Sequence, residues 1–158
     1  MPDPARSPNK WPWPPIVFGL AILFGLGAHD LLATPLSLHN AGRSLKWIGA
    51  LLIASGLTID FAALLALRRH RTTVLPNRPA ETLVTTGPFA FSRNPIYLGN
   101  TLLTAGIGLW LGTIWLVIAA LAAALIVQHI AIRREEEHLA ARFGTDWTAY
   151  TQRVRRWL

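Results

Sequence analysis

Four long apolar runs, separated by polar and proline-bearing segments, dominate the pattern of this chain. They are Ile16–Ala33, Trp47–Leu67, Ile96–Leu111 and Thr113–Ile132. A helix needs about 20 predominantly apolar residues to cross the hydrocarbon core of a bilayer, and the runs approach that length. We therefore predict an all-α integral membrane protein with four transmembrane helices. The last two form a C-terminal helical hairpin, and a cytoplasmic amphipathic helical tail follows them.

The basic residues predict how these helices are oriented. Thirteen of the fifteen Lys and Arg residues lie in three polar segments: a proline-rich arm (1–15), a loop (68–94) and the tail (133–158). Lys and Arg concentrate on the cytoplasmic side of membrane proteins, and four spans would place all three segments on that side. We expect a protein of the bacterial inner membrane with both termini in the cytoplasm.

Composition narrows the possible classes of function. The chain is 52% hydrophobic and 15% charged, which is typical of a membrane protein and not of an ordinary soluble domain. Its net charge of +7 does not predict a nucleic-acid partner, because the arginines lie between apolar runs and form no basic face of a soluble module. There is no cysteine, and the five histidines show no metal-binding spacing. We therefore expect no metal site.

The second apolar run carries a candidate packing face and one acidic residue. Ala50, Ala54, Thr58 and Ala62 recur every four residues, which predicts a helix face that another backbone can approach closely. Asp60 interrupts the same run. Burying an ionisable group at membrane depth is energetically unfavourable, so such a residue usually either serves a function or is bonded to a neighbouring helix. The pattern is compatible with both.

A tight turn is predicted between the last two apolar runs. Gly112 lies between Trp110 and Trp115, and tryptophan is enriched at the membrane interface. The two runs should therefore be antiparallel. Small residues give them facing surfaces: Thr104, Gly108 and Gly112 on the first, and Ala119, Ala120, Ala123 and Ala124 on the second.

The stretch 83–100 takes the chain from a polar loop into the third apolar run. Gly87-Pro88 predicts a turn, because glycine tolerates positive φ and proline fixes its own φ. Asn94 precedes a proline and is predicted to be the N-cap, with Pro95 in the first helical turn. Such a helix start presents unpaired N–H groups that favour an anion such as a carboxylate.

Charged and aromatic side chains surround this helix start. Arg93 adds a full positive charge, and Phe89, Phe91 and Tyr97 supply aromatic surface that can pack on a planar ring or face a cation. The same residues are also compatible with an aromatic belt that anchors a transmembrane helix. We interpret them as one side of a candidate site.

The tail supplies carboxylates on the same membrane face. Glu135 and Glu136 follow the last apolar run, and either form a solvated charge run or face Arg93 across a site. Gly144 is predicted to end this helix, and Asp146 to cap another. The second helix would carry an aromatic face suited to lying on a membrane surface, formed by Trp147, Tyr150, Val154 and Trp157.

A cleft of this composition would suit a zwitterionic, partly planar ligand. S-adenosylmethionine is one such ligand. Its amino group would meet Glu135 or Glu136, its carboxylate would meet Arg93 or the helix start, and its adenine and sulfonium would meet the aromatic side chains. Other ligands with the same charges would fit equally well.

An ordered set of motifs runs from Thr82 to Leu158. It comprises Leu83, Gly87-Pro88-Phe89, Arg93-Asn94-Pro95-Ile96-Tyr97 and Gly99, then the hairpin, then Glu135-Glu136, Leu139, Phe143-Gly144, Tyr150 and Val154. In order and spacing this set resembles the superfamily of isoprenylcysteine carboxyl methyltransferases and phospholipid methyltransferases, which are integral membrane enzymes. Many relatives have histidine where this chain has Asn94, so a role for a titrating imidazole there is excluded.

The resemblance implies an S-adenosylmethionine-dependent methyltransferase. It divides the chain into the arm (1–15), a two-span region with its loop (16–81) and a cofactor-binding region (82–158). The implied cofactor-binding residues are Gly87, Pro88, Arg93, Pro95, Tyr97, His129, Glu135 and Glu136, and the implied catalytic residues are Arg93, Asn94 and Tyr97.

The implied acceptor is a lipophilic or membrane-associated small molecule or lipid that reaches the site through the bilayer. A carboxylate, a thiol or an amine would each serve, and no obligate protein partner is expected. A transporter or lipid-binding protein is an alternative, but such a protein should show internal repeats or broken helices, and no convincing repeat is present. A non-catalytic scaffold is another alternative, and it would not require the clustered charges.

Overall fold

The computed structural model describes residues 13–31, 42–70, 72 and 81–158, and this part of the chain is helical with no strand. There are five α-helices: α1 (Trp13–Leu31), α2 (Gly42–Arg69), α3 (Pro95–Leu111), α4 (Ile114–Val127) and α5 (Arg133–Arg153). A 3₁₀ turn at Gly87–Ala90 precedes α3, and a π-helical turn at Gln128–Ile132 joins α4 to α5. The predictions for the arm before Trp13, for the connection at 32–41 and for loop residues 71 and 73–80 lie outside the described residues.

Three of the described helical stretches are long and apolar enough to cross a membrane. They are Trp13–Leu31, Gly42–Arg69 and Ile114–Arg153, in which α4, the π turn and α5 run together. Large apolar side chains such as Leu23 and Phe61 are exposed on these helices, as a lipid-facing surface requires. Helix α3 has 17 residues, so its crossing and the count of four spans stay predictions.

Helix α3 packs against both α2 and α4, and α1 packs against α4. Glycines allow the closest approach, between α2 and α3. A Cβ atom on Gly56 would lie 2.6 Å from the carbonyl oxygen of Gly99, and one on Gly49 would lie 2.7 Å from the amide nitrogen of Trp110. Any larger residue at these positions would push the two backbones apart.

The packing face of α2 is not the one predicted from its four-residue repeat. Ala54 and Thr58 are exposed, and the residues that α2 buries are Gly49, Gly56, Ala63 and Ala66. At about 100° per residue, a four-residue step turns about 40° around the helix, whereas a seven-residue step drifts by only about 20°. The seven-residue series Gly49, Gly56 and Ala63 therefore stays on one face, and the predicted series turns away from it.

Asp60 lies on α2 where this helix contacts α3. Its Oδ1 atom is buried, has no hydrogen-bond partner among the described residues, and lies where a Cβ on Gly99 would collide with it. The carboxyl group is therefore placed between two helices, next to the start of α3.

The predicted turn between the last two apolar runs is confirmed. Gly112 has φ of +76° and ends α3, and the amide of Thr113 donates to the carbonyl of Gly108 over 2.9 Å. The facing small surfaces are also confirmed, because a Cβ on Gly108 would lie 2.8 Å from the Cβ of Leu116. The residues buried on α4 include Ala119, Ala120 and Ala123.

The tail confirms one prediction and contradicts another. Gly144 has φ of +49° and ψ of −114°, so the first helical segment of α5 ends there as predicted, and a second segment runs on to Arg153. The aromatic face formed by Trp147, Tyr150 and Val154 is buried and does not lie on a membrane surface. Its partners inside the protein are Leu83, Leu139 and Phe143. The kink at Gly144 turns the second half of α5 so that this face meets the loop before α3.

Candidate functional site

The loop before α3 begins with the predicted turn. Gly87 has φ of +63°, a value that glycine adopts readily, and Pro88 is the second residue of the 3₁₀ turn. The amides of Phe91 and Ser92 both donate to the Pro88 carbonyl over 3.1 Å. The turn at Gly87-Pro88 is therefore confirmed, and it directs the following residues back across the start of α3.

Asn94 lies at the N-cap position, and Pro95 begins α3 as predicted, but the Asn94 side chain does not cap the helix. Its Nδ2 atom donates instead to the carbonyl oxygen of Arg156 over 3.1 Å. The backbone amide of Asn94 donates to the Ser92 hydroxyl over 3.1 Å. The predicted N-cap position is therefore confirmed, but the buried Asn94 side chain makes no hydrogen bond to its own helix and instead donates to a distant segment.

Arg93 and Glu136 meet directly. The guanidinium of Arg93 lies 3.2 Å from the Glu136 carboxylate and 5.6 Å from the centre of the Trp147 ring. Arg156 binds the same carboxylate through two nitrogens, over 3.0 and 2.5 Å. The predicted convergence of the loop and the tail is therefore confirmed. Glu136 is shared between two cations, which hold it in a fixed orientation.

A second pair lies beside this cluster. The Tyr97 hydroxyl on α3 donates to the Glu135 carboxyl on α5 over 2.9 Å. Glu135 lies beyond Ile132, the predicted end of the last span. Burial raises the pKa of its carboxyl to about 7, an increase that the Tyr97 hydrogen bond opposes and the neighbouring Glu136 charge enlarges. Glu135 is therefore harder to ionise than an exposed glutamate.

Residues after α5 form the third side of the site. The Arg93 amide donates to the Arg155 carbonyl over 3.0 Å, and the Ser92 hydroxyl donates to the Arg156 carbonyl over 3.3 Å. The Trp157 indole donates to the side-chain oxygen of Gln128 in the π turn over 2.7 Å. The segment Val154–Leu158 thus connects the loop to the junction of α4 and α5.

The remaining predicted site residues are placed as follows. Gly87 and Pro88 lie at the start of the loop, and Pro95 is buried at the start of α3. His129 is exposed, and its Nδ1 atom lies 2.8 Å from the Leu125 carbonyl of its own helix. No contact described for the site involves His129, so its contribution to ligand binding stays a prediction.

Sequence reasoning missed Ser92, Gln128 and Arg156, and it placed Trp157 on a membrane surface, whereas Trp157 packs inside the protein. A partial signal was present, because the sequence Arg155-Arg156-Trp157 places an aromatic residue after two arginines in a polar tail. A tryptophan in such a tail often contacts an apolar surface while its N–H finds an acceptor. Its acceptor, Gln128, lies 29 residues earlier and could not be identified from spacing alone.

The arrangement can recognise a zwitterion. Arg93 and Arg156 carry positive charge, and the Nε atom of Arg93 is a buried donor without a hydrogen-bond partner among the described residues. Glu135, the residue before Glu136 on α5, offers a carboxylate when it is deprotonated. Within the described ranges, no group of three or more His, Cys, Asp and Glu side chains is arranged to hold a metal ion.

Comparison with known proteins gives three matches. The sequence model of the phospholipid methyltransferase family matches residues 45–146, which is more than half of the chain. The nickel-cobalt-cadmium resistance protein NccN of Alcaligenes xylosoxydans xylosoxydans is 32% identical over 108 residues, covering 68% of this chain and 50% of NccN. An uncharacterized protein of Haemophilus influenzae is 35% identical over 63 residues, covering 40% of this chain and that protein's whole length. The chain therefore spans about half the length of NccN.

Proposed function

The chain belongs to the phospholipid methyltransferase family of membrane methyltransferases, and we propose that it transfers a methyl group from S-adenosylmethionine to a lipophilic or membrane-associated acceptor. One observation supports this proposal most. The first turn of α5 meets the loop before α3 through the ion pair of Arg93 with Glu136, and meets α3 through the hydrogen bond of Tyr97 to Glu135. These contacts lie at the place where the motifs of the family predict the methyl donor.

Each charged side chain has a distinct proposed role. Glu135 contacts the donor's amino group, because among the described residues its carboxylate has one hydrogen bond, from Tyr97, and no cationic partner. Arg93 and Arg156 bind the donor's carboxylate, and Glu136 positions both guanidiniums. This assignment refines the expectation that Glu135 and Glu136 are equivalent, because Glu136 already has two cationic partners.

When bound, S-adenosylmethionine would supply a methyl carbon activated by its sulfonium for transfer to the acceptor. The residues of this chain contribute by orienting the donor and excluding water. Well-oriented partners can lower a barrier by about 7–11 kcal/mol. Tyr97 and Asn94 act here as positioning residues. Tyr97 bonds α3 to α5, and Asn94 bonds the start of α3 to the segment after α5.

The acceptor is proposed to enter from the bilayer and the donor from the cytoplasm. The described spans expose apolar side chains on their surfaces. The charged cluster of Arg93, Glu136 and Arg156 lies outside the predicted spans. An amine, a thiol or a carboxylate acceptor is compatible with this geometry. We further propose that both termini lie in the cytoplasm, on the side that the basic residues favour.

Labelled methyl transfer tests the proposed function. Purified protein in lipid vesicles, incubated with methyl-labelled S-adenosylmethionine and a total lipid extract, should transfer label to the lipid-soluble fraction. The Glu135→Gln variant should transfer much less, and Glu137→Gln, at an exposed neighbouring position, should match the wild type. The absence of transfer by the wild type to lipid or protein fractions would contradict the proposal.

Donor affinity should depend on pH through Glu135. Its carboxyl pKa of about 7 is raised in the free protein, and a bound ammonium favours the charged form. Affinity should therefore be highest above pH 7 and fall by up to about tenfold per unit as the pH decreases below 7. Titrations between pH 5.5 and 7.5 measure this slope, since an α-amino group stays largely charged over that range.

The Glu135→Gln variant is the control for this dependence. It should bind the donor weakly and with little change across the same pH range, because glutamine does not titrate. A wild-type affinity that is constant from pH 5.5 to 7.5 would show that Glu135 does not contact the donor's amino group.

A further inference from the structure

The segment Val154–Leu158 is not helical and lies against the loop before α3. Helix α5 ends at Arg153, and Val154 has φ of −122° and ψ of +129°. Three hydrogen bonds then connect residues 155 and 156 to Ser92, Arg93 and Asn94, all through backbone carbonyls of the segment. The position of this loop therefore depends on a segment that lies about 60 residues later in the chain.

Arg156 is the more accessible of the two arginines that bind Glu136. Its side chain is 33% exposed, compared with 15% for Arg93. Both its Nε and Nη2 atoms bind Glu136, so the guanidinium is oriented by two contacts. The exposed edge of such a group can bind a second anion while Glu136 holds the other edge.

Trp157 fixes the segment immediately after Arg156. Its ring packs against a buried apolar cluster that includes Phe18 of α1, Tyr97 of α3 and Val127 of α4. Its indole N–H donates to Gln128 over 2.7 Å. A partly buried indole needs an acceptor for its N–H, and this one lies in the π turn.

The π turn changes the direction in which α5 presents Glu135 and Glu136. An additional residue in a helix rotates everything after it by about 100° relative to an uninterrupted helix. Because of the turn at Gln128–Ile132, Glu135 and Glu136 on α5 point in a different direction from the small residues of α4 that pack on α3. Trp157 donates its hydrogen bond to Gln128, the first residue of this turn.

We propose that the segment Val154–Leu158 is a wall of the donor site, in which Arg156 contacts the donor's carboxylate and Trp157 is the positioning residue that holds Arg156 there. This inference rests on the proposed function and assigns it residues beyond position 146, where the family match ends. Trp157 acts through Arg156 and through the loop, and it touches neither reacting atom.

Two substitutions of the Trp157–Gln128 pair test this role. Trp157→Phe keeps an aromatic ring and removes the N–H donor, and Gln128→Leu removes the acceptor. Each should weaken S-adenosylmethionine binding about fivefold, the ratio expected for one hydrogen bond. The double variant should bind no more weakly than either single variant, because both remove the same bond. Trp47→Phe is the matched control, since Trp47 is 68% exposed on α2.

Hydrogen exchange provides a readout that does not require the donor. The Arg93 amide donates to the Arg155 carbonyl, so its exchange should accelerate in Trp157→Phe and not in Trp47→Phe. Faster exchange combined with unchanged donor affinity would overturn the proposal, because the segment would then support the loop without being part of the site. Unchanged exchange and unchanged affinity would overturn it as well. If the wild type itself binds no donor, the proposed function fails independently of Trp157.

Discussion

Replacing Glu136 with alanine is expected to weaken donor binding at least about tenfold and to destabilise the protein by about 3 kcal/mol. The Glu136 carboxylate is the common partner of Arg93 and Arg156. Its removal leaves two guanidinium groups facing each other without a counter-ion in a partly buried region. Both lose the orientation in which they would bind the donor's carboxylate.

Thermal unfolding in detergent and donor titration measure the two effects separately. Glu137→Ala is the matched control, because Glu137 is the next residue on α5 and is exposed. The double variant Arg156→Ala/Glu136→Ala should recover part of the lost stability, since it also removes one of the unpaired cations. A Glu136→Ala variant as stable as Glu137→Ala and with wild-type affinity would show that this ion pair serves neither the fold nor the site.

Replacing Gly56 with alanine is expected to destabilise the protein by about 1–3 kcal/mol, as overpacking of a close contact does. The new Cβ would lie 2.6 Å from the Gly99 carbonyl oxygen and 2.9 Å from the Leu103 amide nitrogen. Both are backbone atoms and cannot rotate away, so α2 and α3 must separate. Donor affinity should also decrease, since α3 carries Tyr97 two residues before Gly99.

Gly19→Ala in α1 is the control for this substitution. A Cβ at Gly19 would meet nothing within 4 Å, and alanine favours the helix by up to about 1 kcal/mol. The unfolding midpoint of Gly19→Ala should therefore equal or exceed that of the wild type, and that of Gly56→Ala should be lower. Equal midpoints for the two variants would contradict the close contact between α2 and α3.

Local chemistry made part of this structure predictable from the sequence. Proline at 95 identified the first residue of α3, and Gly112 identified the turn between α3 and α4, because each residue restricts the backbone directly. The meeting of Arg93 with Glu136 followed from placing two polar segments on one membrane face. These predictions depended on residue type and chain order, which the sequence supplies.

The predictions that failed concern contacts between distant segments. Asn94 lies at the N-cap as expected, but its side chain bonds to the carbonyl of Arg156 and not to its own helix. The aromatic face of the tail was expected to meet lipid, but it packs with Leu83. In both cases the local pattern was compatible with two partners, and the path of the chain after the kink at Gly144 decided between them.

The packing of α2 shows the same limit within a single helix. Its four-residue repeat predicted a face for close approach, but the glycines of another face permit the observed backbone distances. Residue size was therefore the better indicator than residue spacing. The family match includes this helix, since it begins at residue 45, whereas the segment around Trp157 lies beyond it.

Calorimetric titration of the wild-type protein with S-adenosylmethionine and with its demethylated product tests the central claim most directly. That claim is that the loop before α3, the first turn of α5 and the segment after α5 together bind the methyl donor. We predict saturable binding of both ligands to the purified protein, with weaker binding of the donor to Glu135→Gln. The absence of binding of either ligand at millimolar concentration, in protein that unfolds cooperatively, would contradict the claim.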